Sequence, residues 1–283
     1  MNWLIEPFVS NSFLLRALIA GALVSISCGV VGTFIVLRGL AFIGDALAHG
    51  VLPGIAIAVL LGVPGIVGAA ISAVVMISGI GLITRKSQLS SDTAIGLLFV
   101  GMLALGVVIV SRSTTFTGDL VRILFGEILG INTQSVILQA VATLAIVITA
   151  IICARPFLLL CFNPEQAQVS GFSSRLYHNI MLAMIAVAVI ISFQTVGTML
   201  VFGMLLAPAG AGALLARRIQ TMMVYASLIG MVSVLAGLLV SYYLNFAAGS
   251  SIVLVATLIF FVVLLIKNLQ AARNRQTGSL QHE

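Results

Sequence analysis

Charge is what this sequence has least of. Seven carboxylates and 13 basic residues stand among 283 positions, so charged side chains make up 7% of the chain. A soluble domain carries roughly a quarter. So few cannot cover a core with a polar surface, which excludes a soluble enzyme and a disordered chain. The net charge of +6 does not point to nucleic acid either, because the basic residues are spread along the chain rather than gathered in a patch. Cysteine is scarce as well. Cys28, Cys153 and Cys161 are odd in number and lack CxxC spacing, so neither a disulfide framework nor a zinc knuckle is expected, only three small apolar fillers. The two lysines, Lys86 and Lys267, follow Arg85 and Ile266, so the phosphate-cradling GxxxxGK[ST] loop cannot occur. If ATP is used, another subunit hydrolyses it. The first twelve residues hold neither Lys nor Arg, and no cleavable signal peptide is expected.

What fills the chain instead is apolar surface: 61% of residues are hydrophobic and the mean hydropathy is +1.27. At about 20 apolar residues per crossing, the length allows roughly nine membrane spans. Apolar runs lie near 14–37, 44–62, 64–84, 94–111, 135–154, 179–216, 221–244 and 250–267. The stretch 180–216 has no charged residue over 37 positions, too long for one ordinary span at 1.5 Å per residue. It reads as two segments meeting near Gln194–Gly197. The expected fold is an all-α polytopic membrane protein of about 8–9 transmembrane helices, a single domain over 1–283.

Orientation follows from Lys and Arg, which collect on cytoplasmic loops. With the C-terminus inside, ten of the 13 basic residues fall inside, and Arg16, Arg112 and Arg122 remain outside. The expected arrangement is N-terminus out and C-terminus in. It has an outer interfacial segment at 1–13, a cytoplasmic loop at 155–178 and a cytoplasmic tail at 268–283. Trp3 and Phe8 at one outer edge, with Tyr242, Tyr243 and Phe246 at another, suit an interfacial aromatic belt. The Gly50/Gly54 and Gly126/Gly130 spacings allow close helix contact.

Against that background one acid stands out. Asp45 lies within Leu40-Ala-Phe-Ile-Gly-Asp-Ala-Leu-Ala-His-Gly-Val-Leu-Pro53, with His49 four residues on. On a helix, positions i and i+4 share a face, so the two side chains can hold one ion. A carboxylate with an imidazole suits Zn²⁺, Mn²⁺ or Fe²⁺, although two ligands leave other positions to fill. The plainer alternative is that Asp45 caps the helix start while His49 makes a packing hydrogen bond. In the loop Cys161-Phe-Asn-Pro-Glu-Gln-Ala-Gln-Val-Ser-Gly171, Pro164 and Glu165 can open a short helix and Gly171 can close it. It is either a contact helix for a soluble motor or a solvated connector. Glu127, in Leu124-Phe-Gly-Glu-Ile-Leu-Gly130, is expected in an outer interfacial or re-entrant helix, with a metal role only a minor alternative.

Taken together and in order, these stretches resemble the membrane permease subunit of bacterial metal-type ABC importers, the ABC-3 family. The resemblance runs from Ile5-Glu-Pro-Phe through Val36–Gly54, Ser91-Asp-Thr-Ala-Ile-Gly96, Leu124–Gly130 and Phe162-Asn-Pro-Glu-Gln-Ala167. It continues to Val201–Pro208 and Ser241-Tyr-Tyr-Leu. The Gly-Asp-Ala-Leu-x-His and x-Pro-Glu-x-Ala pieces are its specific part. It implies a fold like the vitamin B12-type importers and a permease dimer. The implied partners are a cytoplasmic ATP-binding subunit and an extracytoplasmic metal-binding protein. It also implies transport of Mn²⁺ or Zn²⁺, less often Fe²⁺, with ATP held by the partner subunit. By position, Asp45 and His49 match the family's metal ligands. Asn163, Pro164, Glu165, Ala167 and Gly171 match its coupling segment. Two departures stand out: Asn163 replaces a frequent Asp, and Glu127 replaces a frequent Asn. The other readings that the residues leave open are a proton-coupled secondary metal transporter using Asp45 and His49 as a relay, with Gln194 contributing, and a membrane scaffold that transports nothing.

Overall fold

The computed structural model describes residues 6–8, 11–87, 89–111, 130–162 and 164–279. Among the described residues the main helices are, in order, α1 (Ser12–Leu37), α2 (Ala41–Gly50), α3 (Leu52–Leu60), α4 (Gly65–Lys86), α5 (Ser91–Ser111), α6 (Thr133–Ile152), α7 (Ala154–Phe162), α8 (Pro164–Val169), α9 (Ser174–Val196), α10 (Thr198–Leu215), α11 (Ile219–Leu244) and α12 (Ala248–Ser279). Among the described residues eight spans are long and apolar enough to cross a membrane, with α2 and α3 counted as one, and a shorter apolar stretch, Leu200–Leu215, lies in α10. In a bilayer every backbone polar group must be satisfied internally, and helices do that within a single segment. The expected division of 180–216 falls at Gly197, whose φ of 87° separates α9 from α10.

Burial sorts the helices into centre and perimeter. The spans Ser12–Leu37 and Ala41–Leu60 are each 72% buried, whereas Ala248–Ala271 is 17% buried and leaves apolar side chains such as Leu254, Leu258 and Phe261 exposed. α1 packs against α6, α10 and α11, and α12 closes on α10 and α11. α2 to α5 form a second group, and α2 also touches α9 and α10. Lipid tails are as apolar as leucine, so this packing rests on close approach and on interhelical hydrogen bonds rather than on transfer from water. Gly54 faces Gly68 so closely that a Cβ on either would strike the other's carbonyl, and Gly50 lies against Met76. The Gly50/Gly54 spacing therefore does bring helices together. Of the second pair, Gly126 lies outside the described residues.

A polar knot ties α1, α6 and α9 in the same way. The Gln139 amide nitrogen lies 3.4 Å from Ser27 Oγ, 3.4 Å from Thr143 Oγ1 and 3.3 Å from Ser192 Oγ, and Gln139 is wholly buried. The segment 155–178, expected as a connecting loop, contains α7, α8 and the first turn of α9. The expected tail from 268 continues α12 as helix to Ser279.

Candidate metal site

α1 ends on Gly39, whose φ of 65° lets the Gly39 and Leu40 N–H groups turn back to the carbonyls of Val36 and Ile35. This is the closing pattern that favours glycine. The chain then re-enters the bundle as α2. Leu40 is its N-cap, with no side-chain cap bond, so Asp45 stands in the second turn and does not cap the helix. That overturns the capping alternative. Asp45 Oδ1 lies 3.4 Å from His49 Nε2, with the side chains 33% and 18% exposed respectively. The His49 ring packs against Phe99 of α5 at a centroid distance of 5.9 Å. Its Nδ1 is buried and has no hydrogen-bond partner among the described residues.

The helix ends just past His49, and Pro53 is the reason. In a continuous helix the residue 53 N–H would bond the His49 carbonyl; proline has no N–H, and its ring crowds that carbonyl. α2 stops at Gly50, an N–H at the junction reaches the His49 carbonyl instead, and Pro53 sits in the first turn of α3. At 1.5 Å per residue, His49 is about 12 Å in from the start of α2. Between the two helices Val51 stays right-handed, its N–H on the Leu47 carbonyl and its own carbonyl accepting from Ile55, so the span is interrupted at one residue beside the histidine rather than ended there. The sequence reading overlooked this, although the signal was present: a proline four residues after the histidine.

The pair's spacing suits a single ion. Two ligand atoms each about 2.1 Å from a tetrahedral ion stand about 3.4 Å apart. Asp45 and His49 thus need little movement to hold one ion. Among the described residues no group of three or more His, Cys, Asp or Glu side chains gathers at any point, so the pair is half a coordination shell. Glu127 lies outside the described residues.

The second expected contact region takes shape as α8. It opens on Pro164 with Glu165 in its first turn, and Ala167 is wholly buried. At its end, the Gly171 and Phe172 N–H groups bond the Gln168 and Ala167 carbonyls, with Gly171 at φ 83°. Asn163 lies outside the described residues. Phe172 meets Tyr177 edge to face at 5.6 Å, joining this turn to α9. One residue later, His178 Nδ1 lies 3.0 Å from Arg38 Nη1. A guanidinium only donates, so Nδ1 accepts and the ring proton sits on Nε2. Burial pulls the Arg38 guanidinium below its usual range, offset in part by the nearby Cys161. A continuous path thus runs from α8 through α9 and Arg38 to the turn that launches α2. Spacing along the chain gives no hint of this pair, whose members are 140 residues apart.

The ABC 3 transport family model matches residues 10–267. The manganese transport system membrane protein MntC of Listeria monocytogenes is 37% identical over 261 residues, covering 92% of this chain and 93% of that protein. The chelated iron transport system membrane protein YfeD of Yersinia pestis is 34% identical over 278 residues, covering 97% and 92%. Among solved structures, PsaBC from Streptococcus pneumoniae in complex with Fab superposes with a TM-score of 0.83 at 33% identity, covering 92% of this chain and 94% of that one.

Proposed function

Because the chain belongs to the ABC 3 transport family, we propose that it is the permease subunit of an ATP-driven importer of divalent transition-metal ions. Relatives named for manganese and for chelated iron support that substrate class. An Asp–His pair accepts Zn²⁺ as readily as Mn²⁺, so the preference for manganese rests on the relatives. The observation that carries the reading is the Asp45–His49 pair at 3.4 Å, beside an interruption of the helix within a membrane span.

In this mechanism an extracytoplasmic metal-binding protein delivers the ion on the N-terminal side of the membrane. Asp45 contributes an anionic oxygen and His49 a neutral nitrogen. The same pair from a second permease copy completes the shell across the dimer axis, and Glu127 stays a minor candidate beside them. Two separate ATP-binding subunits hydrolyse ATP on the cytoplasmic side and engage the 163–171 segment through Asn163, Pro164, Glu165 and Gly171, with Ala167 seating the helix. Their movement reaches α2 through α9 and Arg38, opening the site to one face and then the other. A shell assembled from two half-sites releases its ion when the halves separate.

The test is metal accumulation by cells expressing wild type or Asp45→Ala at equal protein level, assayed for manganese, iron and zinc. Loss of one metal in the variant identifies the substrate. Equal uptake of all three would sink the ligand assignment. A proton-coupled transporter would instead move metal in vesicles holding this chain alone, without ATP.

A further inference from the structure

A cavity of about 1020 Å³ opens where α1, α6, α7 and α11 meet, beside the end of α8. Pockets for small ligands run to about 1,000 Å³, so this one takes a ligand with a long chain. Its walls are apolar, from Phe34 at the end of α1, Ile151 at the end of α6 and Leu158 of α7. Ile151 is 69% and Leu158 43% exposed. Phe34 and Ile151 belong to the last turns of membrane spans, and Leu158 to the short helix that follows, so the cavity straddles the edge of the hydrocarbon layer. Its charged lining is of one sign. Arg155, Arg217 and Arg218 border it, and among the described residues no Asp or Glu lines it. Arg218 is also the N-cap of α11, whose positive end adds to the potential there.

An apolar slot in the membrane with three guanidiniums at its mouth is complementary to an amphiphile with an anionic head. We propose that this cavity binds one anionic phospholipid, with an acyl chain against Phe34, Ile151 and Leu158 and the phosphate on Arg155, Arg217 and Arg218. Basic pockets between spans at a membrane face are a recurring form of headgroup recognition. A water-soluble protein reaches the arginine rim but not the walls below it, which favours lipid over a protein partner. Because Ser170 and Phe172 also line the cavity, the lipid would sit against the closing turn of α8. The assignment stands independently of which ion crosses the membrane.

The experiment uses the full-length protein in detergent. Native mass spectrometry measures retention of phosphatidylglycerol against phosphatidylcholine of the same chain length. Wild type should retain phosphatidylglycerol preferentially. Each arginine neutralised should weaken retention about fivefold, so Arg155→Gln/Arg217→Gln/Arg218→Gln should lose roughly a hundredfold. These side chains are exposed, and an unchanged melting temperature checks the fold. Leu158→Trp, which narrows the slot and leaves the arginines in place, should also weaken retention. Equal retention of the two lipids would overturn the proposal, as would a triple variant or Leu158→Trp that binds like wild type. Displacement of the lipid by equimolar inorganic phosphate would mark a phosphate site instead. Loss of the ATP-binding subunit from the triple variant with phosphatidylglycerol retained would mark a protein contact and refute the lipid.

Discussion

Replacing Pro53 by alanine tests whether the break in the second span is part of the metal site. Alanine restores the residue 53 N–H, which can take the His49 carbonyl in place of the junction N–H that reaches it in the wild type. It also removes a residue that disfavours a helix interior by about 3 kcal/mol. Pro53 already sits in the first turn of α3, where proline is tolerated, so the gain in stability is expected to be a fraction of that, about 1 kcal/mol. α3 is pinned on α4 by the Gly54–Gly68 approach, so straightening has to move α2 and with it Asp45 and His49. Moving the backbone that carries both ligands acts like the loss of an outer support of the site. Metal affinity should therefore fall about 10- to 100-fold while the melting temperature holds or rises. Two measurements on the purified protein decide it: Mn²⁺ titration by calorimetry and thermal unfolding in detergent, with Asp45→Ala as the non-binding control. Wild-type affinity in a variant that has become more stable would refute the reasoning, since the helix would have closed without affecting the site.

Gly68→Val should force α3 and α4 apart, because the new side chain meets the Gly54 carbonyl; overpacking of this kind costs about 1–3 kcal/mol and is read as a lower melting temperature. Arg38→Met keeps bulk but removes the donor to His178. The assembled transporter should then hydrolyse ATP with reduced metal uptake per ATP, and an unchanged ratio would remove Arg38 from the coupling path. Burial pushes the Cys161 thiol above its usual range and Arg38 pulls it partly back. Its thiolate is therefore scarce at neutral pH, so maleimide labelling should be slow at pH 7 and rise as pH is raised. In Arg38→Met the thiol loses that pull, and labelling should slow further.

Much of the layout is readable along the chain because a bilayer demands it. Runs of about 20 apolar residues must become spans, and a 37-residue uncharged stretch must divide, which it does at Gly197. Asp45 and His49 share a face because 3.6 residues make a turn, and Pro164 and Gly171 open and close a short helix through backbone preferences alone. Pro53 belongs with these: its missing N–H is a local fact, and it decides where α2 stops. Lateral arrangement is different. Hydropathy cannot rank neighbours in a solvent as apolar as leucine, so no pattern in the sequence places α2 between α5, α9 and α10. Nor does it bring Arg38 to His178, or Gln139 to Ser27 and Ser192. Those pairings depend on which helices can approach closely and satisfy a buried polar group. The sequence by itself therefore determined the spans, the Asp–His pair and the short helix α8. Tertiary packing decided how α8 is joined to the pair, and which of the scattered arginines share a cavity.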